Sequence, residues 1–268
     1  MSTTADSART STRTTTKVFV HGNPEVSAIW SLLVAELEQR GVTGIVLLSP
    51  PGFGAPVPDG WAGDVDAYRG WLIDALERIT GTTGVAIDLV GHDWGAGHVF
   101  GTVAARPDLV RSFAADCVGM LHHDYVWHDM AQAWQTPDVG EQIIEGMIGA
   151  PVADRTAMFT SFGAPDHIAT AMADAADADM GRCILTLYRS AAQPATAEFG
   201  QRLREAKRPP MLAIIASEDP YVSAAEGVLV AEEFGAEQLS LDGCGHWWMF
   251  EEPGVAADGL VAFWSSLD

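Results

Sequence analysis

The residues Gly91-His92-Asp93-Trp94-Gly95 follow directly on the apolar run Val85-Ala86-Ile87-Asp88-Leu89-Val90. A strand that turns sharply into a helix, with its central side chain standing clear of the sheet, needs small residues on both flanks. The turn is strained and the backbones approach closely. Gly91 and Gly95 meet that need, so the stretch predicts a strand, a tight elbow and a helix. The apex residue is a carboxylate. A hydroxyl there would point to ester or amide chemistry. A carboxylate points to attack on saturated carbon, forming an alkyl ester with the protein that water must then break.

The rest of the chain repeats the strand–helix alternation. Lys17 to Val20, Ile45 to Ser49, Val85 to Val90, Ser112 to Val118, Met211 to Ala216 and Leu239 to Leu241 read as strands. Val26 to Gln39, Tyr68 to Ile79 and Ala96 to Ala105 have helical spacing. Such alternation predicts an α/β fold with a mostly parallel sheet covered on both faces. Between Leu121 and Ala192 strand-like runs are absent, and short helical stretches are broken by Gly and Pro. Helices inserted there predict a cap (lid) over the carboxyl ends of the strands, where such sheets bind ligands. The expected organisation is a loose tail over 1–15, an α/β core over 16–120 and 193–268, and a helical cap over 121–192. Cap residues Trp127, Met130, Trp134, Met147, Phe159 and Phe162 read mostly as the cap's own packing.

The chain has 268 residues, 48% apolar, enough to bury a large core. No apolar stretch approaches the roughly 20 residues that cross a bilayer. The formal charge of −21 disfavours nucleic acid or an anionic membrane as partner, since phosphate binding needs clustered cations. The tail lacks the apolar segment of a secretory signal. The three cysteines Cys117, Cys183 and Cys244 form no metal-binding spacing. Together these predict a reduced, cytoplasmic protein.

An aspartate needs no base for its own attack, since an ordinary carboxyl is ionised at neutral pH. Breaking the ester does need one, to deprotonate water. His246, in Gly243-Cys244-Gly245-His246-Trp247-Trp248 after the last strand, is the candidate base. Asp219, in Ser217-Glu218-Asp219-Pro220 after the preceding strand, is the candidate partner that holds the imidazole; Glu218 and Asp116 are the alternatives. His92 and His98 read as structural. His122, His123 and His128 read as cap surface, with one of them a candidate to face the pocket. The backbone of His21-Gly22-Asn23-Pro24-Glu25, with the Trp94 N–H, is the expected oxyanion hole. The side chains of Asn23 and Trp94 carry N–H donors that suit a departing halide. The scheme calls for no metal and no organic cofactor. The expected partners are a small apolar organic substrate and water, and the sequence does not specify an oligomeric state.

From Val18 onward the chain resembles the α/β-hydrolase superfamily, in its branch of epoxide hydrolases and haloalkane dehalogenases. The matching pieces are HGNPE (21 to 25), PPGFG (50 to 54), GHDWGA (91 to 96), LYR (187 to 189), SEDP (217 to 220) and GCGHWWMFEEP (243 to 253). The order Asp93, Asp219, His246 is that superfamily's order of nucleophile, acid and base. The resemblance implies that Tyr188 protonates an epoxide oxygen. Where epoxide hydrolases have a second cap tyrosine this chain has Met130, with Tyr125 or His128 as candidate substitutes nearby. The dehalogenase resemblance implies instead that Asn23 and Trp94 grip a halide. An epoxide hydrolase is the first expectation and a haloalkane dehalogenase the alternative. Both families commonly have further strands before the HG turn.

Overall fold

The computed structural model describes residues 15–268. The expected tail lies outside the described residues except for Thr15. That residue is not loose: it is buried, and its hydroxyl donates to Asp88 at 2.7 Å.

Six strands form one sheet: β1 (Thr16–Val20), β2 (Ile45–Leu48), β3 (Ile87–Gly91), β4 (Val110–Ala115), β5 (Met211–Ala216) and β6 (Glu237–Leu241). All neighbours are parallel, in the order β2-β1-β3-β4-β5-β6. Among the described residues no strand precedes β1. The order reverses between β1 and β3, and a crevice opens beyond the carboxyl ends of strands at such a reversal. The HGNPE turn leaves β1 and the GHDWG elbow leaves β3 at that point.

Successive side chains of a strand face opposite ways. Val18, Val20 and Leu89 therefore enter one core, and Phe19, Val90 and Ala114 enter the other. Helices α1 (Ser31–Gln39), α2 (Val65–Thr83) and α3 (Trp94–Ala105) alternate with the first strands. Leu33 and Leu37 of α1 seal the second core, and Leu72, Leu76 and Phe100 of α2 and α3 seal the first. The one charge in the elbow strand, Asp88, is fully buried. It accepts from Arg111 at 2.8 and 2.9 Å and from Ser112 at 2.6 Å, so every lone pair is used where burial alone would make it unfavourable.

Between β4 and β5 lie α4 (Asp129–Gln135), α5 (Val139–Gly149), α6 (Val152–Ser161), α7 (Asp166–Ala175) and α8 (Ala178–Ser190), helices that fit a cap. In α8 the buried residues Met180, Cys183, Ile184, Leu187 and Tyr188 fall at helical spacing, giving one inward stripe. Asp177 caps its start, accepting from the Met180 N–H at 2.9 Å. Tyr188 is thereby carried, at the carboxyl end of the stripe, down onto the elbow. The chain then returns to the sheet through α9 (Ala195–Glu205) and α10 (Ala224–Phe234), and ends in α11 (Trp248–Glu251) and α12 (Pro253–Ser266). No described helix is long and apolar enough to cross a membrane.

Candidate functional site

Asp93 sits at the apex of the elbow with φ 52°, a left-handed conformation uncommon outside glycine. The surroundings enforce it. A Cβ on Gly95 would stand 2.1 Å from the Val20 carbonyl oxygen, and one on Gly22 would stand 2.1 Å from Asp93 Oδ1. The two turns pack against each other as bare backbone. Asp93 Oδ1 accepts from the Asn23 backbone N–H at 2.8 Å, and the Trp94 backbone N–H also acts on the carboxylate. Two main-chain groups, from the β1 and β3 loops, thus act on the one carboxylate. Burial raises the carboxyl, the nearby His246 opposes that, and the result is a pKa of about 6.

Asp93 Oδ2 lies 3.7 Å from His246 Nε2, and His246 Nδ1 lies 2.9 Å from Asp219 Oδ2. Asp219 Oδ1 accepts from the backbone N–H groups of Tyr221 and Val222 at 2.8 and 3.2 Å. Burial works against its charge, but His246 and these donors outweigh it and hold the carboxyl below its ordinary range. Burial likewise lowers the His246 imidazole, and Asp219 outweighs that too, so the net direction is upward. The three residues are brought together; Glu218 is not part of the group, and Asp116 serves another histidine.

The Tyr188 hydroxyl accepts from the Asn23 side-chain amide at 3.3 Å. The Trp94 ring meets the Tyr188 ring edge-on at 5.4 Å, and its indole N–H has no hydrogen-bond partner of its own. Burial and the Asp93 charge hold the phenol well above its ordinary range, while Asn23 and Trp94 pull the other way. Tyr125 is buried nearby with an unpartnered hydroxyl. His128 accepts from the Ala131 N–H through Nδ1 at 3.3 Å, capping α4, and its other face borders the cavity. His122 and His123 stay outside.

A cavity of about 280 Å³ opens above Asp93, between the sheet and the helices that fit a cap. Its walls are mostly apolar. Met130, Trp134, Met147, Phe159 and Phe162 all reach it. Trp134 and Phe159 are at the same time buried in the packed core, whereas Met130 and Phe162 stay half exposed and serve the cavity wall. Ile143, Met158, Tyr221 and Trp247 also line it and were not singled out in the sequence. Tyr221 stands edge-on to His246, with ring centres 4.8 Å apart and an interplanar angle of 85°. Only its position two residues past Asp219 could have flagged it. Trp247 follows the base histidine directly.

Behind the elbow lies a second array that sequence reading missed as a unit. His92 Nδ1 pairs with Asp116, and His92 Nε2 lies 2.9 Å from Glu25 Oε1. Glu25 accepts from the Trp247 indole at 2.6 Å and from the Gly22 N–H at 2.9 Å. Asp116 accepts from the Trp248 indole at 2.6 Å and from the Asp93 N–H at 3.0 Å. Both His92 nitrogens are occupied, so the closeness of Glu25, His92 and His246 is that of a hydrogen-bond array and not of open metal ligands.

The profile of the Alpha/beta hydrolase family matches residues 18–258, and the chain belongs to that family. No curated protein matches it. Among solved structures it is similar to a loop variant of the haloalkane dehalogenase DbeA from Bradyrhizobium elkanii, with TM-score 0.71 and 18% identity over 94% of this chain and 90% of that one. It is similar to a bromoperoxidase from Bacillus anthracis, with TM-score 0.69 and 19% identity over 94% and 93%. It is also similar to an E-2-(acetamidomethylene)succinate hydrolase, with TM-score 0.63 and 16% identity over 93% and 91%. At such identities the likeness is one of fold.

Proposed function

We propose that this hydrolase opens a neutral epoxide to a diol through a covalent ester on Asp93. One observation carries the choice: the side-chain amide of Asn23 donates to the Tyr188 hydroxyl, beside the Trp94 indole. Of the two donors that suit a halide, the Asn23 amide is turned on a phenol instead, and the Trp94 indole lies beside it unpartnered. A phenol so placed is an acid whose conjugate base has partners waiting.

In the first step Asp93 Oδ2 attacks a ring carbon, the ring C–O bond breaks, and Tyr188 gives its proton to the leaving oxygen. The tyrosinate is held by Asn23 and Trp94. Loss of the Asp93 charge, 3.7 Å from His246, removes one stabiliser of imidazolium, so the imidazole is neutral and free to take a proton when water arrives. In the second step His246 takes a proton from water, which attacks the ester carbonyl. Oδ1 carries the tetrahedral charge and stays against the Asn23 and Trp94 backbone N–H groups. The intermediate collapses as its Cγ–O bond to the substrate breaks, the leaving oxygen takes the second water proton and departs as the diol, Asp93 is again a carboxylate, and the imidazolium proton returns to Tyr188. Asp219 holds the ring throughout. The residues over 121–192 act as the cap that keeps bulk water out.

The second reading, a haloalkane dehalogenase, draws support from the dehalogenases among the similar folds and from the placement of Asn23 and Trp94. In it the Tyr188 hydroxyl must withdraw to admit the halide. Tyr188→Phe separates the two. Epoxide turnover, followed as diol release, is expected to fall by about 10²- to 10⁴-fold, the usual worth of a positioned acid. Diol release unchanged, or halide release from haloalkanes raised, would overturn the assignment of Tyr188.

A further inference from the structure

Asp93 and Tyr188 border not one space but two. On the side away from the large cavity lies a small chamber of about 20 Å³, walled in part by Cys117, Met120, Tyr125 and Trp127. One water needs on the order of 10–15 Å³, so the chamber has room for one or two heavy atoms. Asp93, His128, Tyr188 and Tyr221 are shared walls of both spaces. A ring carbon facing Asp93, with its oxygen at Tyr188, therefore stands at the junction, and substituents on the ring carbons reach into both.

The two spaces differ in size and in one wall. Both have thioether and aromatic walls, but Tyr125 borders the chamber alone. That residue is 4% exposed, and its hydroxyl has no hydrogen-bond partner. A buried donor left dry costs about 1–3 kcal/mol, so its presence points to an acceptor that arrives with the ligand. Burial and the nearby Cys117, Asp93 and Asp219 all keep the phenol protonated, hence a donor. Neither space is lined by Lys or Arg, so the acceptor is neutral.

Resting on the epoxide reading of the site, we infer that the substrate is an unsymmetrical epoxide. It carries one long apolar arm for the large cavity and one short arm ending in a hydroxyl or ether oxygen, which Tyr125 binds. An epoxy alcohol is the simplest member of that class. Tyr125 is here a specificity residue, not a proton donor to the ring.

The test compares three oxiranes that share a hexyl arm: unsubstituted, methyl-substituted and hydroxymethyl-substituted on the second carbon. The expected kcat/KM for the hydroxymethyl compound exceeds that for the methyl compound by about tenfold, the worth of one hydrogen bond. In Tyr125→Phe that ratio falls to about one, because only the hydrogen bond is lost. If the wild-type protein treats the two alike, the chamber holds only water and the inference falls. If Tyr125→Phe slows all three equally and keeps the ratio, Tyr125 is structural and the inference falls as well. Met120→Phe fills the chamber and leaves the phenol itself unchanged. It is expected to reject both substituted rings and keep the unsubstituted one, and acceptance of all three would count against the placement. Failure of the wild-type protein to open any of the three would instead overturn the epoxide reading itself.

Discussion

Two carboxylate–imidazole–carboxylate arrays stand back to back in this molecule, with the rings of His92 and His246 centred 4.7 Å apart. Asp93 and His246 face a cavity, and the contact between them is long, at 3.7 Å. Glu25 and His92 face nothing but protein, Asp116 borders only a pocket of about 10 Å³, and every contact is a full hydrogen bond. Burial disfavours charge in both. In the rear array the partners outweigh it: His92 is held well above its ordinary range by Asp116 and Glu25, and Glu25 is brought to about 2. In the front array the nucleophile candidate is left at about 6. Two carboxylates about an imidazole thus give a saturated brace in one place and an under-supplied carboxylate in the other. The difference lies in how many donors each carboxylate receives.

Removing one histidine at a time breaks the comparison most sharply. His246→Ala is expected to stall the second step, lowering turnover by about 10²- to 10⁴-fold, as loss of a general base does. Intact-mass measurement after incubation with substrate should show the ester retained on Asp93. A protein that stays unmodified while turnover is lost would refute the covalent scheme. Its thermal stability should change little. Glu25→Gln should do the reverse in kind, lowering stability by about 3–5 kcal/mol, because a buried imidazolium loses a charged partner. The sign follows from titration. The Glu25 carboxyl is at about 2 when folded, against 4.5 ordinarily. Its contribution is therefore present above pH 4.5 and lost as pH falls toward 2. Denaturant melts of the variant at neutral pH check it, and wild-type stability would deny the brace.

The arrays also differ in how far they could be read from the chain. The front array was legible because each member ends a strand inside a distinctive string: Asp93 between glycines, Asp219 before Pro220, His246 after Gly245. Local backbone need and chemistry coincide there. Glu25 and Asp116 carry no such signal. What defines them is a partner 67 residues away for Glu25 and 24 away for Asp116, and only the sheet order brings these together. The strands were readable from apolar runs, with the elbow strand shifted to Ile87–Gly91 and the next one, expected over Ser112 to Val118, shifted to Val110–Ala115. The cavity wall was not, because period alone places an apolar residue inward without saying whether protein or a void lies there.

A smaller effect tests the front array in solution. The initial attack requires Asp93 ionised, so kcat/KM should fall about tenfold for each pH unit below about 6, the Asp93 value. A profile flat down to pH 4.5 would mean that more donors reach Asp93 than the geometry gives it.

The smallest effect is also the most diagnostic, because it runs against the usual direction for losing a polar contact. The Asp93 carboxyl is at about 6 in the fold and near 3.8 when ordinary. Above pH 6 the folded protein holds a charge that its surroundings disfavour, so that charge lowers stability. The penalty vanishes as pH falls through 6 toward 3.8, where both states bind the proton. Asp93→Asn should therefore raise stability at pH 8 by about 1–3 kcal/mol. The figure is discounted from the full shift because the carboxylate touches the cavity. The gain should shrink to nothing near pH 4. The rear array predicts the opposite sign for Glu25→Gln, a deficit that is nearly constant above pH 4.5, so paired melts of the two variants should diverge as pH rises through 6 because of Asp93 alone. If Asp93→Asn were destabilising at every pH, its two backbone donors would be satisfying the carboxylate fully. The asymmetry between brace and nucleophile would then be absent.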